Sequence, residues 1–312
     1  MLAAMSGSPR AVCVTRSVAL RRSLRRSLHA AGSTVEFVDD VDRVEGEASL
    51  IVIDEPTRDG LTHAQLTALA AGRALIIIGA SLEHAATVDG LRADGCNHLI
   101  GDGDEPDDSE LVVTSGKLAS GDLFGLEKYL AWGVRVQEVE VGSYEEKRGA
   151  LIAVTSCARD AGARRPTVAR VESVVDELLM NAMYDAPAAA SGEAPRVPID
   201  LGERVAFPAR LRWASDGRYF AVSVEDRFGA LGKVAIVEHV QRARAERGRP
   251  RGTGEAAGAG LGLYFIVSSV TRFIANVALG QRTEVIGLFD LRQGGREVES
   301  CARSLHVFGV AR

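Results

Sequence analysis

The run VVDELLMNAMYDA at residues 174–186 places Glu177 and Asn181 four positions apart. On an α-helix that spacing puts both side chains on one face, one turn from each other. An amide oxygen is the kind of hard donor that Mg²⁺ accepts. A carboxylate one turn away can take the proton of a water or hydroxyl that attacks a phosphate. The run YFAVSVEDRFGALG at 219–232 alternates apolar residues and ends in Asp226, with Gly229 and Gly232 behind it. A carboxylate at a strand end can accept a hydrogen bond from an adenine amino group. A third run, GAGLGLYFIVSSV at 258–270, sets Gly258, Gly260 and Gly262 ahead of a helix. Glycines let backbone approach phosphates, and the N–H groups that open a helix favour anions.

Each run alone also has a plain structural reading: a solvated helix pair, a strand-ending turn, a glycine loop. The glycine run does not follow a strand, as a Rossmann or P-loop motif requires. The specific signal is the order: E-x-x-x-N helix, strand with terminal Asp and glycines, glycine loop opening a helix, then a hairpin carrying Thr283. In that order, across residues 134–292, the chain resembles the GHKL ATPase superfamily, which includes histidine kinases, gyrase-type enzymes and anti-sigma-factor serine kinases.

The resemblance implies ATP and Mg²⁺ as cofactors. It implies Glu177 as catalytic base, Asn181 as Mg²⁺ ligand and Asp226 on the adenine amino group. Gly229 would shape the base pocket, Gly258, Gly260 and Gly262 would frame the phosphates, and Thr283 would stand near the adenine. The implied fold is a Bergerat-type α/β sandwich, a mixed sheet with helices on one face. In place of the family's D-x-G-x-G stands Asp226-Arg227-Phe228-Gly229-Ala230, so Phe228 replaces the first glycine.

A strand at 134–141 and two helices before the glycines look like the anti-sigma serine kinase branch. None of the six histidines lies in a dimerisation hairpin of the histidine-kinase type. The resemblance therefore implies a protein serine/threonine kinase whose partner is a sigma-factor-like or anti-anti-sigma-like protein. A non-catalytic ATP-dependent binding switch and a histidine-kinase-like domain acting in trans stay open, as does a homodimer. Arg242, Arg244, Arg247, Arg249 and Arg251 occupy the position of the family's ATP lid. Guanidinium forks suit phosphates, a solvated arginine loop is the equal alternative, and RGRP also matches a minor-groove hook.

The elements that must position these groups follow from periodicity. Strands are expected at 203–213, 218–225 and 304–309 and in a hairpin at 273–291 turning at GQR. Helices are expected at 122–132, 144–161, 166–185, 232–246 and 262–273, with a loop at 186–198. The first half reads as a doubly wound, flavodoxin-like parallel sheet. Its strands are 11–15, 34–38, 49–54, 74–79, 96–100 and 111–113; its helices are 17–31, 61–72 and 82–93.

LIVIDEPTRDGLT at 50–62, RALIIIG and GCNHLI make this half resemble a response-regulator receiver, with Asp54 at the phospho-acceptor position. Thr15 and Arg16 stand where a receiver has its Mg²⁺ acids, Gly79 at the switch hydroxyl, and Gly101 and Asp102 where a lysine belongs. The reading is a pseudo-receiver for docking or dimerisation; an unrelated doubly wound domain is the alternative. The serine and glycine at 115–121 set the division at 1–120 and 121–312.

Composition bounds these readings. In 312 residues, 46% hydrophobic and 25% charged, disorder and fibrous repeats are excluded. A net charge of −5 argues against nucleic acid as partner. No apolar run reaches the ~20 residues of a membrane span. Cys13, Cys96, Cys157 and Cys301 are scattered, which fits free thiols in the cytoplasm better than a disulfide or zinc framework. Arg16, Arg21, Arg22, Arg25 and Arg26 mimic a transit peptide, but Val18, Leu20, Leu24 and Leu28 recur at near-helical spacing, and an amphipathic helix is the expectation.

Overall fold

The computed structural model describes residues 8–82, 84–101, 108–192, 204–246, 261–292 and 302–309. The chain divides into two compact units, Met1–Leu123 and Phe124–Ala311. Both are α/β.

In the first unit β1 (Arg10–Val14), β2 (Thr34–Val38), β3 (Leu50–Asp54), β4 (Ala74–Ile78) and β5 (Cys96–Ile100) pair in parallel in the order β2-β1-β3-β4-β5. The runs AVCV, LIVI and LII are buried because a doubly wound sheet covers both faces of its inner strands. The helices are α1 (Val18–Ala30), α2 (Glu55–Asp59), α3 (His63–Ala70), α4 (Ala85–Gly90) and α5 (Asp108–Ser120). Ser17 caps α1 by accepting from Leu20 N–H. Leu24 and Leu28 then pack on Ala11, Cys13, Leu50, Val52 and Ile76. The arginines of α1 lie outside this stripe. Arg21 donates to Thr15 O and to Asp39, and Arg21 and Arg25 cover the Phe37 ring.

The expected strand at 111–113 is instead the interior of α5. Leu111, Thr114 and Ser115 are buried at i, i+3 and i+4, and the Ser115 hydroxyl donates to Leu111 O at 2.6 Å. Packing of that stripe against α1 overrides the β-branched pair Val112–Val113. α2, capped by Asp54, was not expected at all.

The second unit opens with a strap over residues 124–131, containing a 3₁₀ turn at Leu126–Tyr129 where a helix was expected. Then come β6 (Gln137–Val141), α6 (Tyr144–Asp160), α7 (Arg165–Met180), a π-helical turn (Asn181–Asp185) and α8 (Ala186–Ser191). They are followed by β7 (Ala209–Ser215), β8 (Tyr219–Asp226), α9 (Lys233–Glu246), α10 (Leu261–Ser269), β9 (Arg272–Ala278), β10 (Arg282–Asp290) and β11 (Ser304–Phe308). The sheet order is β11-β9-β10-β8-β7-β6. β11 and β9 are parallel and the other neighbours antiparallel, a mixed sheet.

Alternation gives the sheet two faces. Thr283, Val285 and Gly287 of β10 share one face with Asp226, Val224 and Val222 of β8. A Cβ on Gly287 would meet Val270, just past α10, at 2.8 Å, so α10 ends over this face. Asn276, Glu284, Glu225 and Arg210 form a polar row on the opposite face.

Two further expectations are corrected here. The helix expected at 262–273 ends at Ser269, because Thr271 N–H is drawn to Leu288 O at 2.7 Å and Arg272 already belongs to β9. The loop expected at 186–198 begins as α8, closed by Gly192 with φ +72°; its remainder lies outside the described residues.

Candidate functional site

α7 presents a continuous apolar stripe, Val168, Val171, Val174, Val175 and Leu178, to the core and leaves Glu177 half-buried beside it. Gly262, in the first turn of α10, approaches so closely that a Cβ there would overlap Glu177 Oε1. Two segments 85 positions apart are thus in contact, and a side chain at 262 would displace the carboxylate. Burial, then Asp185 and Asp176, push the Glu177 carboxyl above the usual range, while Lys147 pulls it back. Lys147 is buried, with Nζ 2.7 Å from Asp176 Oδ1.

Asn181 opens the π turn and donates its backbone N–H to Glu177 O. The turn has a local cause. Pro187 has no N–H for the Met183 carbonyl four residues back, and its ring would crowd that oxygen; widening the helix relieves both. The extra residue also moves Asp185, at i+8, into the place of i+7 relative to Glu177. Three carboxylates with one ammonium leave a net negative field, which suits a divalent cation on the Asn181 amide. Among the described residues no group of three or more His, Cys, Asp or Glu could hold a metal ion.

α7 and the π turn pack on β8, and α7 also packs on β10. β8 ends in Asp226, whose Oδ1 accepts from Phe228 N–H at 2.8 Å and Gly229 N–H at 3.3 Å. Burial raises the Asp226 carboxyl, and these N–H groups oppose the rise. Thr283 faces Asp226 in register. Its hydroxyl is buried and makes no hydrogen bond of ordinary geometry, yet lies near enough to favour the charged carboxylate.

Gly229 has φ +62°, and a Cβ there would collide with Ala278 O and come within 2.7 Å of Gly280 N. Only glycine lets the 226–229 turn sit on the β9–β10 hairpin. Phe228 meets Phe207 edge to face at 5.6 Å.

Asp54 ends β3, lines a cavity and accepts one hydrogen bond on each carboxylate oxygen. Oδ2 accepts from the Thr15 hydroxyl at 2.5 Å and Oδ1 from Thr57 N–H at 3.0 Å. A cavity of about 260 Å³ beside it is lined by Arg16, Asp39, Asp40, Thr57 and Leu61 among others. Asp39 and Asp40 were missed from sequence, although an acidic pair directly after the second strand was a readable signal.

Gly258, Gly260, Arg247, Arg249 and Arg251 lie outside the described residues; Arg242 and Arg244 belong to α9. Cys13, Cys96 and Cys157 form no disulfide, and burial pushes the Cys13 thiol up to about 12, which removes it as a nucleophile. No helix of the described residues is long and apolar enough to cross a membrane.

No protein-family model matches the chain, and no curated protein matches it. Among solved structures, full-length FixJ from B. japonicum is similar at 14% identity and a TM-score of 0.31, over 61% of this chain and 78% of that one. A likeness at that level assigns no function.

Proposed function

We propose that the second unit binds ATP and acts as a protein kinase of the anti-sigma serine/threonine type, on a GHKL-like fold. The observation that carries this reading is the contact of Glu177 with Gly262, beside strands that bring Asp226, Gly229 and Thr283 together. Segments that are separate in sequence meet there, and that meeting supports the reading.

In this reading Asp226 accepts the adenine amino group and Thr283 supplies its unspent hydroxyl to the base. The backbone opening α10, with no side chain at Gly262, faces the phosphates. A partner serine or threonine hydroxyl attacks the γ-phosphorus and its proton passes to Glu177. The new P–O bond replaces the one to the β-phosphate oxygen, and ADP leaves. A carboxyl raised by burial and neighbouring acids holds that proton better than an exposed glutamate. A Mg²⁺ held at Asn181 would neutralise charge on the phosphates.

The first unit is proposed as a pseudo-receiver for docking, because Thr15 and Arg16 stand where a receiver carries its Mg²⁺ acids and Thr15 bonds Asp54 instead. A sigma-factor-like or anti-anti-sigma-like partner, a cytoplasmic setting and a homodimer belong to the same reading. Incubation with Mg²⁺, γ-labelled ATP and a candidate partner tests it. Acid-stable label on the partner supports the serine/threonine kinase, and acid-labile label moves the assignment to a histidine acceptor. Saturable ATP binding without transfer leaves a nucleotide-dependent switch. No ATP binding, with Asp226→Ala equal to wild type, overturns the reading.

A further inference from the structure

Adjacent residues of β10 face opposite ways: Thr283 looks to the candidate base pocket and Glu284 to the back of the sheet. Glu284 is 2% exposed, although its face-mates Ile274, Ile286 and Leu288 are apolar and an apolar residue would fit there. A buried carboxylate at such a position costs desolvation unless specific donors hold it. Glu284 Oε2 has two, Asn276 Nδ2 on β9 at 3.0 Å and the Gly125 N–H of the strap at 2.8 Å.

The rest of the strap is fixed to the same face. Leu126 and Tyr129 are buried. Arg282 stacks on the Phe124 ring with its guanidinium carbon 3.8 Å from the centroid. Arg212 reaches Glu127 at 2.9 Å, and Ala131 N–H donates to Asp216 at 3.2 Å. Gly125 has φ +119°, a conformation that leaves its N–H at Glu284 and that other residues rarely adopt.

We propose that the strap positions the base pocket through Glu284, which ties the strap and β9 to β10 directly behind Thr283. Glu284 touches no nucleotide; it is a positioning residue. The strap opens the second unit, and its hydrogen bond reaches the residue next to Thr283. The proposal rests on the nucleotide reading above.

The test compares wild type, Glu284→Gln and Leu126→Ala for binding of ATP and of inorganic triphosphate, with amide hydrogen exchange at Gly125. Leu126→Ala removes a buried side chain of the strap and leaves every β10 residue unchanged. Both variants are expected to weaken ATP about tenfold and triphosphate less than about twofold, with Gly125 exchanging at least about tenfold faster. Equal losses for the two ligands, or faster exchange at Gly125 with unchanged ATP affinity, would overturn the proposal and leave the nucleotide reading standing. A wild type that binds neither ligand overturns both, and the exchange at Gly125 still shows whether Glu284 holds the strap.

Discussion

Each unit ends a strand in an aspartate set against a buried threonine. In the first, the Thr15 hydroxyl donates to Asp54 at 2.5 Å, and Asp54 also caps α2 through Thr57. In the second, Asp226 accepts the amides of its own turn while the buried Thr283 hydroxyl opposite it stays without a proper partner. The first pair is joined by a direct hydrogen bond, although Asp54 also lines a cavity. The second keeps a buried polar group unspent, which costs stability unless something else uses it. The same residue types at the same strand position therefore read as scaffold in one unit and as a candidate binding site in the other.

The largest effect that would sharpen this contrast is at the glycines beside each aspartate. Gly229→Ala adds a Cβ where Ala278 O already sits and forces φ +62° on a residue that resists it. It should cost about 2–3 kcal/mol in chemical denaturation and remove nucleotide binding. Gly60→Ala, beside the Asp54 cavity, meets Thr57 O at an ordinary 3.5 Å. It should change stability by less than about 0.5 kcal/mol. Similar costs at the two glycines would break the comparison.

The threonines come next. Thr15→Val removes a donor from a charged carboxylate and should destabilise by about 1–2 kcal/mol. Thr283→Val removes a hydroxyl that makes no hydrogen bond of ordinary geometry and only helps hold the Asp226 charge, so stability should change by less than about 0.5 kcal/mol. ATP affinity should fall roughly five- to tenfold, measured by calorimetry. A Thr283→Val variant as unstable as Thr15→Val would mean that the second pair is joined by a direct hydrogen bond too.

How much of this was legible depended on the range of the interactions. The parallel strands were, because LIVID and ALIII are short apolar runs between turn residues. α5 was not, since its β-branched run points one way and its buried stripe the other. The end of α10 was missed because Thr271 is captured by Leu288, a partner 17 positions away. Glu177 and Asn181 could be placed on one face by spacing alone, but Asp185 enters only through the π turn that Pro187 induces. The closeness of Gly262 to Glu177, the donors of Glu284 and the lining of the Asp54 cavity are long-range contacts that no local pattern encodes.

The smallest effect concerns pH. Burial and the acids Asp185 and Asp176 raise the Glu177 carboxyl in the folded protein above its ordinary value of 4.5. The native state then binds the proton more tightly than the unfolded chain. Stability from this group is full below the ordinary value and is lost as pH rises through the folded one. Glu177→Gln has no such loss. The melting temperatures of wild type and variant should lie closest in acid and separate as pH rises above 4.5, with the variant the more stable at neutral pH and unable to transfer phosphate. The separation should be a few degrees at most, because Glu177 is only half-buried and Lys147 offsets part of the repulsion. Thr15→Val should show no such pH-dependent gain over wild type, since it removes a donor that holds the Asp54 carboxylate and adds no relief of repulsion. A Glu177→Gln curve parallel to wild type across the whole range would mean that the three carboxylates are not strained against one another, and with that the electrostatic case for a cation at Asn181 would fall.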